Sequence, residues 1–195
     1  MIGAEISMNH PESPRPMRRA ESEIAAPAQL EKILTQARVL FLSLRDAQAP
    51  YVVPVCFGWE KDTLYVHSAL TGAKIDLIRA DPSVGFSACT EITLTPGATA
   101  CNFSLQAESI AGTGRARILA DDKERTRGLD LIMRHYSEGD SIEAPVYGVP
   151  AERVSPYGIG PLSRTCVIAI TILTLRGRRL GKPAPYGSTR SAGTP

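Results

Sequence analysis

Hydrophobic and polar positions change period several times along this chain. Leu30, Ile33, Leu34 and Ala37 recur at i, i+3, i+4 and i+7, the stripe of a helix that packs one face on a sheet, and Pro27 suits its first turn. The period then drops. Residues 39–44 read as a strand, 45–50 as a turn and 51–57 as a second strand. Pro54 cannot donate a ladder hydrogen bond, so it marks an edge, a bulge or a ligand-facing spot. Lys61 and Asp62 read as a tight turn into a third strand, 63–67, and the short links predict that the three form an antiparallel meander. A short helix follows at 72–80 and stops at Asp81-Pro82. Residues 84–89 read as a strand and 90–106 as a turn or excursion around Pro96-Gly97. Residues 109–119 read as a long strand whose Gly112 and Gly114 signal a bend or a close backbone approach. A helix over 121–136 presents Leu129, Ile132 and Met133. Residues 137–164, with Pro145, Pro150, Pro156 and Pro161, read as loop, and 166–175 as the last strand.

Six strands with interspersed helices predict a mainly β protein with flanking helices, a small and mainly antiparallel barrel. There is no internal repeat, no glycine-rich phosphate loop and no βαβ alternation, which disfavours Rossmann and P-loop enzymes. The organisation expected is an N-terminal arm over 1–20, rich in proline, one barrel domain over 21–179 and a basic tail without regular structure over 180–195. The strands at 109–119 and 166–175 carry more apolar surface than one small barrel is expected to bury, which predicts a dimer.

Composition narrows the class. With 195 residues and a hydrophobic fraction of 43%, the chain can build a real core. No apolar run reaches the length that spans a bilayer, and residues 1–24 mix acids and bases without an apolar stretch, so neither a membrane span nor a secretory signal is expected; the compartment expected is the cytoplasm. The net charge is +2, but residues 176–195 carry five basic residues and no acid, which leaves −3 for the rest. Such a body does not look like a nucleic-acid binder. The tail reads either as a solubilising end or as a contact for RNA or acidic lipid. Cys56, Cys89, Cys101 and Cys166 form no CxxC pair and sit in or beside apolar runs, so they are expected to be buried structural thiols rather than zinc ligands or disulfides.

Candidate chemistry concentrates between His67 and Arg79. A strand ends at His67-Ser68, a loop leads to Gly72, and a helix opens with Lys74 in its first turn. Free N–H groups and the positive end of a helix dipole attract anions, and the hydroxyls of Ser68 and Thr71 with the ammonium of Lys74 would complete a phosphate cradle. A lysine in the first turn opposes the dipole, so an anionic ligand would account for it; a solvated lysine on an ordinary capped helix is the alternative. His67 reads either as a structural histidine or as a proton donor with a suitable unperturbed pKa. No Gly-x-Ser-x-Gly elbow is present, and the three histidines, His10, His67 and His135, fall in unrelated elements, which favours neither a hydrolase triad nor a metal site.

Several motifs stand in a recognisable order: Met17-Arg-Arg19, Tyr51-Val-Val-Pro-Val-Cys-Phe-Gly58, Leu64-Tyr-Val-His-Ser-Ala69, Gly72-Ala-Lys74, Asp76-Leu-Ile-Arg79 and Pro82-Ser-Val-Gly-Phe86. Gly112-Thr-Gly-Arg-Ala116 and Leu131-Ile-Met-Arg-His-Tyr136 follow. In this the chain resembles the pyridoxamine 5′-phosphate oxidase-related, FMN-binding split-barrel family over about residues 17–179, and within it the nitroimidazole-resistance subgroup. The resemblance implies a six-stranded split β-barrel that pairs as a homodimer, with FMN in clefts at the interface. It implies that Val52, Val53, Pro54 and Val55 pass the flavin ring, that His67 and Ser68 flank the flavin and its ribityl chain, that Lys74 near Gly72 holds the phosphate, and that Ser109 lies at the cofactor. It also implies an FMN-dependent oxidoreductase taking electrons from a reduced nicotinamide to a small organic acceptor, a nitroaromatic being one candidate, with His67 as proton donor. The alternative is a flavin- or haem-binding carrier or sensor without turnover. Where close relatives carry an aromatic and basic run, this chain has Ala107 and Glu108, and the pyridoxal-phosphate contacts of the oxidase itself are not recognisable, which points away from vitamin B6 oxidation.

Overall fold

The computed structural model describes residues 17–97, 99, 103–137 and 164–181. Most of the expected arm, the loop 138–163 and the tail beyond 181 lie outside the described residues, as do His10 and Cys101.

A single 3-10 turn, Ala20–Ser22, precedes a two-residue strand β1, Glu23–Ile24, and helix α1, Pro27–Gln36. Strands β2, Leu40–Leu44, β3, Tyr51–Val55, β4, Phe57–Glu60, and β5, Thr63–Ser68, follow. Helix α2, Ala73–Ala80, leads to β6, Ser83–Cys89, β7, Thr93–Thr95, and β8, Ser104–Ile118. Helix α3, Asp122–Ser137, precedes the last strand β9, Cys166–Leu180. Every ladder is antiparallel, and the main sheet runs β3-β2-β6-β8-β9-β5-β4, with β1 beside β9 and β7 beside β8. Among the described residues, no helix is long and apolar enough to cross a membrane.

The two end strands of that sheet, β3 and β4, are consecutive in sequence, with only Cys56 between them. In a flat sheet six inter-strand steps of ~4.8 Å would separate them by ~29 Å. Two Cα–Cα steps of 3.8 Å span at most about 7.6 Å. The sheet must therefore curl until its ends meet, and the result is a split barrel closed by the chain at Cys56. This revises the expected meander. The run 51–57 is two strands: β3 pairs with β2 (Phe41 opposite Pro54), and β4 pairs with β5 (Phe57 opposite Val66). Pro54 does lie on an end strand, where a missing donor is tolerated.

The barrel interior takes alternate residues of each strand: Leu40, Leu42 and Leu44, then Val84, Phe86 and Ala88, then Ile168, Ile170 and Ile172. Leu30, Ile33 and Leu34 of α1 join the same core, as the helical stripe predicted. A second cluster joins Val167 and Ala169 from the opposite face of β9 to Leu119 and to Leu129 and Ile132 of α3. The start of β9, Cys166 to Ile170, is thus buried on both faces, which is why it reads as a continuous apolar run. Its apolar surface is covered within the chain, so that part of the argument for a dimer does not hold. Truncating one such side chain, Ile168→Ala for example, carries a cost of roughly 2–5 kcal/mol.

Other details depart from the sequence reading. Among the described residues there are nine strands rather than six, because short β1 and β7 add to the sheet and β4 is separate from β3. The segment expected as an excursion contains β7 and the start of β8. Strand β9 continues to Leu180, which takes Arg176, Arg178 and Arg179 out of the basic tail. Neighbouring strands supply acids to hold two of them: Arg176 meets Glu23 at 2.8 Å and Arg179 meets Glu108 at 3.2 Å. On α3 it is Leu131 that is buried, while Met133 is exposed, because the buried stripe runs through Leu129, Ile132 and Tyr136. The bend foreseen near Gly112 and Gly114 is a register shift between Thr113 and Gly114.

Candidate functional site

Strand β5 ends at the mouth of the barrel closure. Leu64 and Val66 point into the core, so alternation sends His67 outward, and it is exposed. His67 and Ser68 lie opposite Val167 and Cys166 at the start of β9. One step beyond the Phe57–Val66 pair come Cys56 and His67, so the free end of β3 arrives beside the end of β5.

Four residues later, Gly72 precedes α2 with φ 121° and ψ 169°, a conformation that only glycine adopts readily. No side chain caps this helix. The Gly72 carbonyl accepts hydrogen bonds from the N–H groups of Ile75 and Asp76, at 2.9 and 3.1 Å. The N–H groups of Ala73 and Lys74 belong to the first turn and have no partner within the helix. Ile75 and Ile78 anchor α2 in the core, which turns half-buried Lys74 toward His67 and Cys166.

The electrostatics of this corner are unbalanced. Burial pushes the pKa of Lys74 down. Partial burial, and then the nearby Lys74 ammonium, hold His67 below the usual imidazole range, so it is neutral at pH 7. Burial pushes the Cys166 thiol up, against the pull of Arg125, Arg79 and Lys74. Among the described residues, the side chains of His67, Ser68, Thr71 and Lys74 make no hydrogen bond or ion pair with any other. A half-buried cation, two free hydroxyls and an uncapped helix start together form an anion-binding arrangement.

Of the other predicted site residues, Val53 and Val55 are half-buried against the core, while Val52 and Pro54 face outward. The edge of β3 that faces away from β2 has no ladder partner among the described strands, so its backbone donors and acceptors are open to a ligand. Ser109 stands elsewhere. It neighbours the row Ile110–Ala88–Leu40–Val55, three strand spacings or ~14 Å around the barrel from the closure. Its hydroxyl donates a long 3.4 Å hydrogen bond to the Arg178 carbonyl. The structure brings Val55, His67, Ser68, Gly72 and Lys74 to one corner and leaves Ser109 outside it. A shallow concavity along α3, lined by Glu60, Thr126, Arg127, Asp130 and Arg134 among others, contains none of these residues.

His135 proves structural. Its Nε2–H donates to the Ala37 carbonyl at 2.8 Å, and its ring packs on Phe57 with centroids 4.5 Å apart. The Tyr136 hydroxyl donates to the Arg38 carbonyl at 2.8 Å and accepts from the Phe57 N–H at 3.2 Å, and burial pushes its pKa up to about 12. This pair fastens α3 beside the barrel closure, a role the sequence did not disclose. The cysteines divide. Cys166 is buried, as expected, but Cys89 is only half-buried and Cys56 is exposed because it sits at the break between two strands.

Against this geometry, comparisons with known proteins are decisive for the family. The sequence profile of pyridoxamine 5′-phosphate oxidase matches residues 26–157. The chain belongs to the pyridoxamine 5′-phosphate oxidase family. Among solved structures, it is similar to a protein from Bacteroides thetaiotaomicron VPI-5482 provisionally described as a 5-nitroimidazole antibiotic resistance protein, at 28% identity and TM-score 0.66, covering 82% of this chain and 87% of that one. The flavocytochrome Anf3 from Azotobacter vinelandii shares the fold at 15% identity and TM-score 0.68, covering 92% of this chain and 91% of its own. A FAD- and haem-binding protein from Mycobacterium smegmatis does so at 16% identity and TM-score 0.65, covering 89% and 93%. No curated protein sequence gives a significant match. In this family member the split barrel is therefore a fold that flavin-binding proteins share, and the corner around Lys74 is its most distinctive arrangement of polar groups.

Proposed function

We propose that the protein binds FMN at the corner between β3, β5 and α2 and works as an oxidoreductase. The observation that carries this is Lys74: a half-buried ammonium with no counter-charge among the described residues, at the uncapped start of α2. One ammonium with two free N–H groups suits a terminal phosphate monoester. Ser68 and Thr71 add hydroxyl donors, and the open edge of β3 offers backbone groups to the polar rim of a flat ring system. His67, neutral at pH 7, can hold or hand over a proton beside that ring. Bound flavin supplies hydride and electron transfer; the chain supplies binding, orientation and the electrostatic field. On this reading reduced nicotinamide is the electron donor and a small organic molecule, a nitroaromatic among the candidates, the acceptor. The similarity at 28% identity to the Bacteroides protein supports that choice. The reading has the enzyme working in the cytoplasm.

A homodimer is part of the same proposal. The outer face of β3, β2, β6 and β8 presents Val52, Pro54, Phe41, Ser43, Gly85, Ser87, Ala111 and Thr113, an uncharged middle bordered by Arg115 opposite Ser83. The uncharged middle of such a face can meet its own copy across a twofold axis that keeps the two Arg115 side chains at the rim.

Absorption spectroscopy of the purified protein tests the cofactor. A flavin spectrum, release of FMN on denaturation, and bleaching by anaerobic NADH or NADPH are the expected results. No binding of added FMN at tens of micromolar would sink the proposal, and release of FAD would correct the cofactor. The exposed, unpartnered and neutral imidazole of His67 also suits a haem iron, and a Soret band would favour that second reading.

A further inference from the structure

Arg125, in the first turn of α3, is a cation held largely out of water. Its side chain is 15% exposed, against 61% for Arg127 on the same helix. Shielding a guanidinium is costly unless polar groups meet it. One Nη2–H of Arg125 donates to the Thr165 carbonyl at 2.7 Å, and Nη1–H donates to the Asp122 carboxylate at 2.9 Å. Asp122 is 77% exposed, so the pair is a dipole with its carboxylate in water and its guanidinium toward β9. The helix is fixed at this point. A Cβ on Gly128 would come within 2.8 Å of Val167 and 2.9 Å of Tyr65, and the Leu119 N–H donates to the Val167 carbonyl at 2.9 Å.

Thr165 immediately precedes Cys166, and Cys166 lies opposite Ser68, with Val167 opposite His67. The path from the guanidinium through Thr165 to Ser68 is on the order of 10 Å, about one Debye length. Lys74 reaches the same point from α2, where it acts on both His67 and Cys166. Burial holds the Cys166 thiol up, and of the cations pulling against it Arg125 is the strongest, ahead of Arg79 and Lys74. Arg79 is far more open to solvent, at 62% exposed, and lies 3.8 Å from Asp76. Two shielded cations, one on α2 and one on α3, therefore flank the Ser68–Cys166 pair. Like charges out of water destabilise each other, and an anion between them relieves both. The tie to the Thr165 carbonyl does not by itself require a charge, since a neutral amide could donate the same hydrogen bond.

We propose that Arg125 is a specificity-determining residue of the flavin corner: it is the second cation of the phosphate site, and through its field it favours a phosphorylated flavin over an unphosphorylated one. This rests on the FMN reading above and extends it to a residue far from the β5–α2 loop in sequence.

Fluorescence titrations with FMN and with riboflavin test it on wild type, Arg125→Gln, Arg125→Lys and Asp122→Asn. The quantity read is the ratio of the riboflavin Kd to the FMN Kd. Arg125→Gln keeps a donor for the Thr165 carbonyl and loses the charge, so the ratio should fall about 3–10-fold, the scale of one partly solvated charge acting on a phosphate. Arg125→Lys keeps the charge and should hold the ratio within about twofold of wild type, although both variants lower the thermal midpoint by losing the fork of hydrogen bonds. Asp122→Asn removes an exposed acid beside the guanidinium and should raise the ratio about 2–3-fold. If Arg125→Gln weakens both ligands equally, Arg125 is purely structural and the proposal is overturned. A ratio as low in Arg125→Lys as in Arg125→Gln overturns it too. Should Arg125→Gln fail to fold, Asp122→Asn decides, and a ratio that stays level or falls counts against the proposal. A wild type that binds riboflavin as tightly as FMN removes the phosphate site, Lys74 included. One that binds neither removes the flavin reading and this inference with it.

Discussion

The ammonium of Lys74 lowers the pKa of His67 across the short loop that joins β5 to α2. The two groups are therefore coupled, and anything that neutralises one is felt by the other. In an NMR titration His67 should titrate below the usual imidazole value in the free protein. It should move up in Lys74→Met, and up again in wild type when FMN or inorganic phosphate binds. A His67 titration indifferent to both would show that the corner is not an anion site.

The same lysine gives a cofactor test. A hydrogen bond to a charged group contributes ~1.5–3 kcal/mol net. Lys74→Ala should weaken FMN binding about 10–150-fold at 1.4 kcal/mol per decade. Riboflavin, which lacks the phosphate, should bind wild type and variant almost equally. Paired fluorescence titrations check this, and an unchanged FMN affinity removes Lys74 as the phosphate ligand.

Acid should destabilise the fold. His67 and His135 both have folded-state pKa values held below the ordinary imidazole value, chiefly by burial. Between those values and about 6.5 the unfolded chain binds more protons than the native one, so stability rises with pH across that window. It is fully present above about pH 6.5 and is lost as pH falls toward the folded values. The thermal midpoint should drop between pH 7 and pH 5.5, and His135→Gln, which can still donate to the Ala37 carbonyl, should flatten the slope. A midpoint that rises on acidification contradicts the assignment.

Gly72→Ala isolates a backbone effect. A Cβ at this position would meet no atom within 4 Å, so only the φ of 121° resists the change. The expected cost is ~1–3 kcal/mol, read as a lower urea midpoint with an unchanged m-value. An unchanged midpoint would mean the loop relaxes freely.

Tyr136→Phe removes the donor to the Arg38 carbonyl and leaves the Phe57 N–H unpartnered at the barrel closure. A destabilisation of about 1–3 kcal/mol is expected in urea denaturation. The spectrum of any bound flavin should change little, since Tyr136 serves the fold. A large spectral change with normal stability would reverse that assignment.

Periodicity alone located α1, α2 and α3 to within a residue or two, and most of the strands, because alternation and the helical stripe follow from which side of each element meets the core. It also singled out the corner proposed to bind phosphate, since a polar strand end, a glycine and an early lysine are adjacent in sequence: Ser68, Gly72 and Lys74 needed no tertiary information to be found together. Long-range facts were out of reach. Nothing local told the run 51–57 to divide at Cys56, for that break exists only because the sheet must close on itself. Whether Cys56 is exposed, whether His135 binds a ligand or the Ala37 carbonyl, and whether Arg176 belongs to a tail or pairs with Glu23 were each decided by elements far apart in the chain. Ser109 shows the same limit, its place around the barrel being set by the register of β8 against β6 and β9. Sequence thus determined the elements and the local chemistry, through contacts between near neighbours. Tertiary structure alone decided closure, exposure and pairing, because these depend on which distant strands come to lie side by side.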